Sequence, residues 1–182
     1  MKILIYGAGV LGSFLAYELS EAGHEMTFLA RGKRYDALKE KGLVILHHIQ
    51  KKTTVNQVSL VNTFEKTDEY DAVFVVMQKT HIDAVIPDLA TNEKCRLFIL
   101  TGNNGEAEKT YADFMRLSHT KPTVLFGFQG SGGRSENGRI ISVHNDKVHF
   151  TIGDITHRLA SHDQRENQVQ GHGEYGSHIP AY

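Results

Sequence analysis

The chain has a single cysteine in 182 residues and no surplus of either charge, its formal net charge being −1. A lone thiol, Cys95 in "KCRLFIL", excludes an intramolecular disulfide and has no second cysteine with which to build a metal site, so it reads as a half-buried residue at a strand edge. Acids and bases in near-equal number leave no electrostatic footprint for nucleic acid or an anionic membrane. Also lacking is any apolar run of the ~18 residues that a membrane span needs. The chain opens on the strand-like "KILIY" rather than on the basic and apolar segments of a secretion signal. It reads as cytoplasmic, with a small molecule or a protein partner left open as the ligand.

What is present is rhythm. Residues 1–153 alternate short apolar runs, each nearly all apolar as a strand buried on both faces should be, with helix-like segments. The runs are "KILIY" (2–6), "EMTFLA" (25–30), "DAVFVVM" (71–77), "RLFIL" (96–100) and "TVLFGF" (123–128). Between Val10 and Ala22 the residues Leu11, Phe14, Leu15, Ala16, Leu19 and Ala22 fall on one helical stripe, which Gly23 is placed to end. Further helices are expected over Tyr35 to Lys41, Ile82 to Leu89 and Glu106 to Leu117. The fold class is α/β with a mostly parallel sheet.

Two segments break the rhythm. "GLVILHHIQKKTTVNQVSLV" and "GRIISVHNDKVHFTIG", the latter turning at His144-Asn145-Asp146, read as antiparallel hairpins at the edges of the main sheet. From residue 154 the character changes, and 154–182 read as an irregular, mobile tail with at most a short helical piece near Arg158. The tail carries His157, His162, His172 and His178, but their irregular spacing among glycines does not make a metal site, and no metal is expected.

Gly7, Gly9 and Gly12 form G-x-G-x-x-G between the first strand and the first helix, the context in which that pattern signals a dinucleotide. Gly7 allows the tight turn, Gly9 the approach of backbone to a diphosphate, and Gly12 close packing of helix on sheet. The N–H groups of Ala8, Val10, Leu11 and their neighbours, with the positive end of the helix, hold the phosphate charge. The fold is therefore expected to be Rossmann-like and doubly wound. At the end of the second strand, where an NAD site carries Asp or Glu, the sequence reads Ala30-Arg31-Gly32-Lys33-Arg34. Arg31 can clasp a 2′-phosphate with its planar fork, Lys33 or Arg34 adding charge, so NADP(H) is expected over NAD(H).

With these residues the sequence resembles the ketopantoate reductase (2-dehydropantoate 2-reductase) family. The opening through "GKRYDALKEKGLVI", "VFVVMQKTHIDAVI", "FILTGNNGEAE" and "GRIISVHNDKVHFTIGD" are similar, in order, to the cofactor domain of that family. The resemblance implies that Lys79 lies beside the nicotinamide and that Asn104 touches both the nicotinamide ribose and the substrate, a small 2-keto acid. Each also has a plain structural reading, Lys79 as a surface lysine at a helix start and Asn104 as a turn former before Gly105.

In the resembled family the catalytic lysine and its acidic partner come from a second, helical domain, which is not seen in this sequence, so no catalytic residue is assigned. His81 and Lys79 are the nearby candidates for proton donation. The expectation is an NADP-binding unit over 1–153, incomplete as a catalyst by itself, with an apolar face left open for self-association or another chain. A module that binds or senses a dinucleotide without chemistry, and an enzyme that completes its site by dimerising, are the alternatives.

Overall fold

A computed structural model describes residues 1–145 and 149–156. In chain order the elements begin β1 (Lys2–Tyr6), α1 (Val10–Glu21), β2 (Glu25–Leu29), α2 (Gly32–Lys41), β3 (Leu43–His47), β4 (Lys52–Asn56), β5 (Ser59–Val61) and β6 (Ala72–Val76). They continue α3 (Lys79–Ala90), β7 (Leu97–Thr101), α4 (Ala107–Leu117), β8 (Thr123–Gln129), β9 (Gly132–Glu136), β10 (Arg139–Val143) and β11 (Phe150–Gly153). The seven-stranded sheet runs β11-β8-β7-β6-β1-β2-β5, and only the edge pair β11–β8 is antiparallel. The expected α/β class and its mostly parallel sheet are present.

Alternation along the central strands divides the core. Ile3 and Ile5 of β1, with Phe28 and Phe74, face α1, whereas Leu4 and Tyr6, with Val73, Val75 and Phe98, face α3 and α4. Because β2 and β6 flank β1 on opposite sides, the chain turns one way out of β1 and later returns on the other, which opens a crevice at the strands' carboxyl ends. The functional site is expected there on topology alone.

The two ribbons depart from expectation. β3 and β4 do form a hairpin, yet it lies in a second sheet of order β4-β3-β10-β9 rather than at the main sheet's edge, which β5 occupies. The expected hairpin across His144-Asn145-Asp146 does not form, because β10 pairs with β9 and β3 while β11 pairs with β8 in the other sheet. β9 instead reaches β10 through Asn137 and Gly138, both at positive φ (51° and 80°), the geometry of a two-residue hairpin turn whose twist suits the flanking strands. Asp146 and the histidines from His157 onward lie outside the described residues.

The second sheet changes what α1 is. Buried between two sheets, the helix hides six consecutive residues, Gly12 to Tyr17, rather than one stripe. From this helix Phe14 stacks on His144 at 4.1 Å, and Tyr17 lies 4.8 Å from the ring of His47. His144 Nδ1 is 2.7 Å from the Asn145 carbonyl and so carries the proton. Its Nε2 therefore accepts from His47 Nδ1 at 2.9 Å, and His47 Nε2 accepts from the Thr54 hydroxyl at 3.0 Å. The neutral pair satisfies every one of these groups.

Burial, then the neighbouring His144 and Lys52, hold the His47 pKa below its ordinary 6.5, against a smaller opposing pull from Glu21. A depressed folded pKa means that below about pH 6.5 the unfolded chain takes up a proton that the folded chain refuses. Stability is then fully present above that pH and drains away as pH falls. We expect the urea midpoint to drop between about pH 7.5 and about pH 5.5, and the drop to be shallower in His47→Gln. Parallel pH profiles for the two proteins would contradict this assignment.

Candidate functional site: a crevice at the end of the first strand

β1 ends at Tyr6 against Leu29 of β2 and Val75 of β6. The chain then has to turn into α1 beneath the end of β6, and space for side chains runs out. A Cβ at Gly7, whose φ is +120°, would sit 2.3 Å from the Val76 carbonyl oxygen, and one at Gly12 would sit 2.1 Å from that of Gly7. Both obstacles are backbone and cannot give way. Gly9 differs, for its φ of −76° is open to any residue and, among the described residues, nothing lies within 4 Å of where its Cβ would be. No demand of the protein's own packing accounts for glycine there.

Gly9 caps α1 without a side chain, and the first intrahelical bond runs from Ser13 N–H to the Gly9 carbonyl. The N–H groups of Val10, Leu11 and Gly12 therefore have no helical carbonyl to bond, and with the helix dipole they form a partial positive charge at the loop. Gly7, Ala8 and Gly9 line a cavity of about 770 Å³ that extends to Arg31 and Arg34 on one side and to Met77, His81 and Val85 on another. Among the described residues the cavity wall holds two arginines and a histidine and no carboxylate. It is suited to an anion with apolar parts.

Arg31 is the extended residue that caps α2. Its Nη2 donates to the Tyr6 hydroxyl at 3.2 Å, its Nε to the Asn62 carbonyl at 3.3 Å, and its guanidinium lies 6.0 Å from the centre of the Tyr6 ring. Burial raises the pKa of that tyrosine, with Arg31 opposing, so Tyr6 stays neutral and orients the fork. Arg34, one helical turn on, points inward instead, donating to the carbonyls of Ala8 and Gly138 and to the Ser13 hydroxyl.

Of the residues singled out in the sequence, Gly7, Ala8, Gly9, Arg31, Arg34 and His81 line this cavity, whereas Val10, Leu11, Gly12, Lys33, Lys79 and Asn104 do not. Lys79, at the start of α3, is bound to Asp83 at 2.8 Å and to Glu106 at 2.5 Å, and these partners raise its pKa. Asn104 accepts from the Glu106 N–H at 2.9 Å and donates to Thr110 at 3.0 Å, which fastens the turn into α4. Glu106 thus joins the two positions at the ends of β6 and β7. Tyr6, Ser135 and Ile140 were not singled out in the sequence. Tyr6 is hidden by its apolar strand, and the other two arrive through the β9–β10 hairpin, for which Asn137-Gly138 was the available signal.

The glycines separate by experiment. Gly7→Ala and Gly12→Ala should each lose about 2 kcal/mol or more of unfolding free energy through overpacking, while Gly9→Ala should stay within about 1 kcal/mol of wild type. Urea unfolding measures all three, and equal losses would contradict the distinction.

A family model described as "Ketopantoate reductase PanE/ApbA" matches residues 3–157. The chain is 38% identical over 89 residues to the uncharacterized oxidoreductase YkpB of Bacillus subtilis, covering 49% of this chain and 28% of that protein. It is 25% identical over 153 residues to a 2-dehydropantoate 2-reductase of Listeria monocytogenes, covering 84% of this chain and 50% of that one. A D-mandelate dehydrogenase solved with NADH and anilino(oxo)acetate shares the fold, with a TM-score of 0.65 at 19% identity over 94% of this chain and 55% of its own. The chain spans about half or less of the length of the curated relatives it matches. Since the family model takes in nearly every residue from β1 to the end of β11, the chain belongs to the ketopantoate reductase PanE/ApbA family.

Proposed function

We propose that residues 1–153 are the NADP(H)-binding unit of an oxidoreductase that reduces the keto group of a small 2-keto acid such as 2-dehydropantoate. The observation that carries this reading is Gly9, a glycine that no contact or conformation of the protein requires, at the mouth of a cavity whose charged wall is cationic. A diphosphate laid over Gly9 accounts for the missing side chain, and the free amides of α1 account for its charge. Arg31 is the group to hold a 2′-phosphate, since a bidentate fork prefers phosphate and no acid stands at the end of β2 to favour an unphosphorylated ribose.

Bound NADPH would supply the hydride. The chain's own residues would orient it: Lys79 toward the nicotinamide, and Asn104 toward its ribose and the substrate, each beyond the carboxyl end of a parallel strand. Lys79 would also stabilise negative charge near the reacting centre. The substrate's carboxylate and the proton for the developing alkoxide call for groups that face this crevice from a further unit, and the exposed Phe128, Ile49 and Val143 offer it an apolar landing face.

A second reading, a dinucleotide-binding module without turnover, draws on Lys79 being tied to two carboxylates and Asn104 to a helix start. Consumption of NADPH in the presence of 2-dehydropantoate separates the two. Cofactor choice is tested by titrating NADPH and NADH into wild type and Arg31→Ala. NADPH should bind wild type more tightly and lose about 1 to 3 kcal/mol in the variant, with NADH little changed. Equal affinity of wild type for both dinucleotides would remove the NADP assignment, as the NADH bound by the D-mandelate dehydrogenase of the same fold makes a real alternative.

A further inference from the structure

Arg34 is an unusual cation. Its Nε donates to the Ala8 carbonyl at 2.8 Å, Nη1 to the Gly138 carbonyl at 2.8 Å and Nη2 to the Ser13 hydroxyl at 2.9 Å. One side chain thereby ties the glycine loop, α1 and the β9–β10 turn together. All three acceptors are neutral, and no carboxylate pairs with Arg34 among the described residues, although the ion pairs of Arg116, Arg134 and Arg139 show how readily surface arginines here find one. Burial also lowers its pKa, a sign that its charge is poorly compensated.

A partly buried charge held only by neutral dipoles is costly and is retained where something else makes use of it. Bracing alone does not require the charge, because a neutral donor could span the same carbonyls. Arg34 lines the cavity beside Ala8 and Gly9, and a guanidinium has five donors, more than these acceptors consume.

We propose that Arg34 is a phosphate anchor of the crevice, its remaining N–H groups and its uncompensated charge directed at a phosphate of the bound dinucleotide. This rests on the reading of the crevice as a dinucleotide site, and it gives Arg34, until now only an added charge near Arg31, a fixed position and a phosphate contact of its own. Because Arg34 also holds Gly138, the same contact fixes the hairpin that brings Ser135 and Ile140 to the cavity wall. The anion is either the diphosphate, common to both cofactors, or the ribose 2′-phosphate. The chemistry is shared, and the two cofactors distinguish the sources.

The test is titration of NADPH and NADH into wild type, Arg34→Met and Arg34→Lys over a range of sodium chloride concentrations. Arg34→Met should weaken binding roughly ten- to hundredfold and flatten its dependence on salt, since an ionic contact has been removed. A loss shared by both dinucleotides assigns the diphosphate, and one confined to NADPH assigns the 2′-phosphate. Arg34→Lys keeps the charge without the three-way fork, so the salt dependence should persist even where stability falls. If affinity is unchanged in Arg34→Met, or falls by the same factor at every salt concentration, Arg34 is a brace alone and the proposal is overturned. Wild type that binds neither dinucleotide would overturn the crevice reading itself, and the anchor with it.

Discussion

The architecture turns on one crowded crossing of backbone, where the exit of β1, the first turn of α1 and the end of β6 come together with no room for a single methyl group. Gly7 lies under the Val76 carbonyl and Gly12 on the Gly7 carbonyl, and both obstacles are backbone, Val76 being held in the parallel pairing of β6 with β7. That approach sets the height at which α1 starts relative to the sheet. It also leaves the amides of the first turn, which have no helical carbonyl to bond, next to the loop that lines the crevice.

From that crossing the rest of the site follows by packing. α1 is clasped by the main sheet on one side and the four-stranded sheet on the other, so its start cannot drift. The β9–β10 hairpin rests on this helix, its Gly133 so close that a Cβ would lie 3.0 Å from Val10. Arg34 secures the same hairpin at Gly138. Charge reinforces shape. Acids are common elsewhere on the surface, often paired with lysine or arginine, while the described cavity wall has two arginines and no carboxylate.

Much of this was legible in the sequence, and the exceptions are informative. The central strands and the glycine loop could be read because a doubly buried strand must be apolar throughout and a crossing without room must be glycine, both being local demands. The second sheet could not. Its partnership of β3 with β10 joins residues about a hundred positions apart, and nothing local distinguishes an edge hairpin from one laid across a helix. The polar, glycine-rich β9 hid its own strand, although the Asn137-Gly138 pair beside it was a sound turn signal. Around the site, Arg31 was evident from its place after β2, whereas Tyr6 looked like ordinary core and the inward turn of Arg34 depended on three distant partners. Lys79 and Asn104 lie at the strand ends as expected, with intramolecular partners that spacing could not reveal.

The most direct test of the central claim is a crystal structure of the protein grown with NADPH. The diphosphate should lie over Gly9 within hydrogen-bonding distance of the Val10 and Leu11 amides, and the phosphorylated ribose should meet the guanidinium of Arg31. Density for the dinucleotide elsewhere on the molecule, or a crevice closed by its own side chains at saturating NADPH, would contradict it.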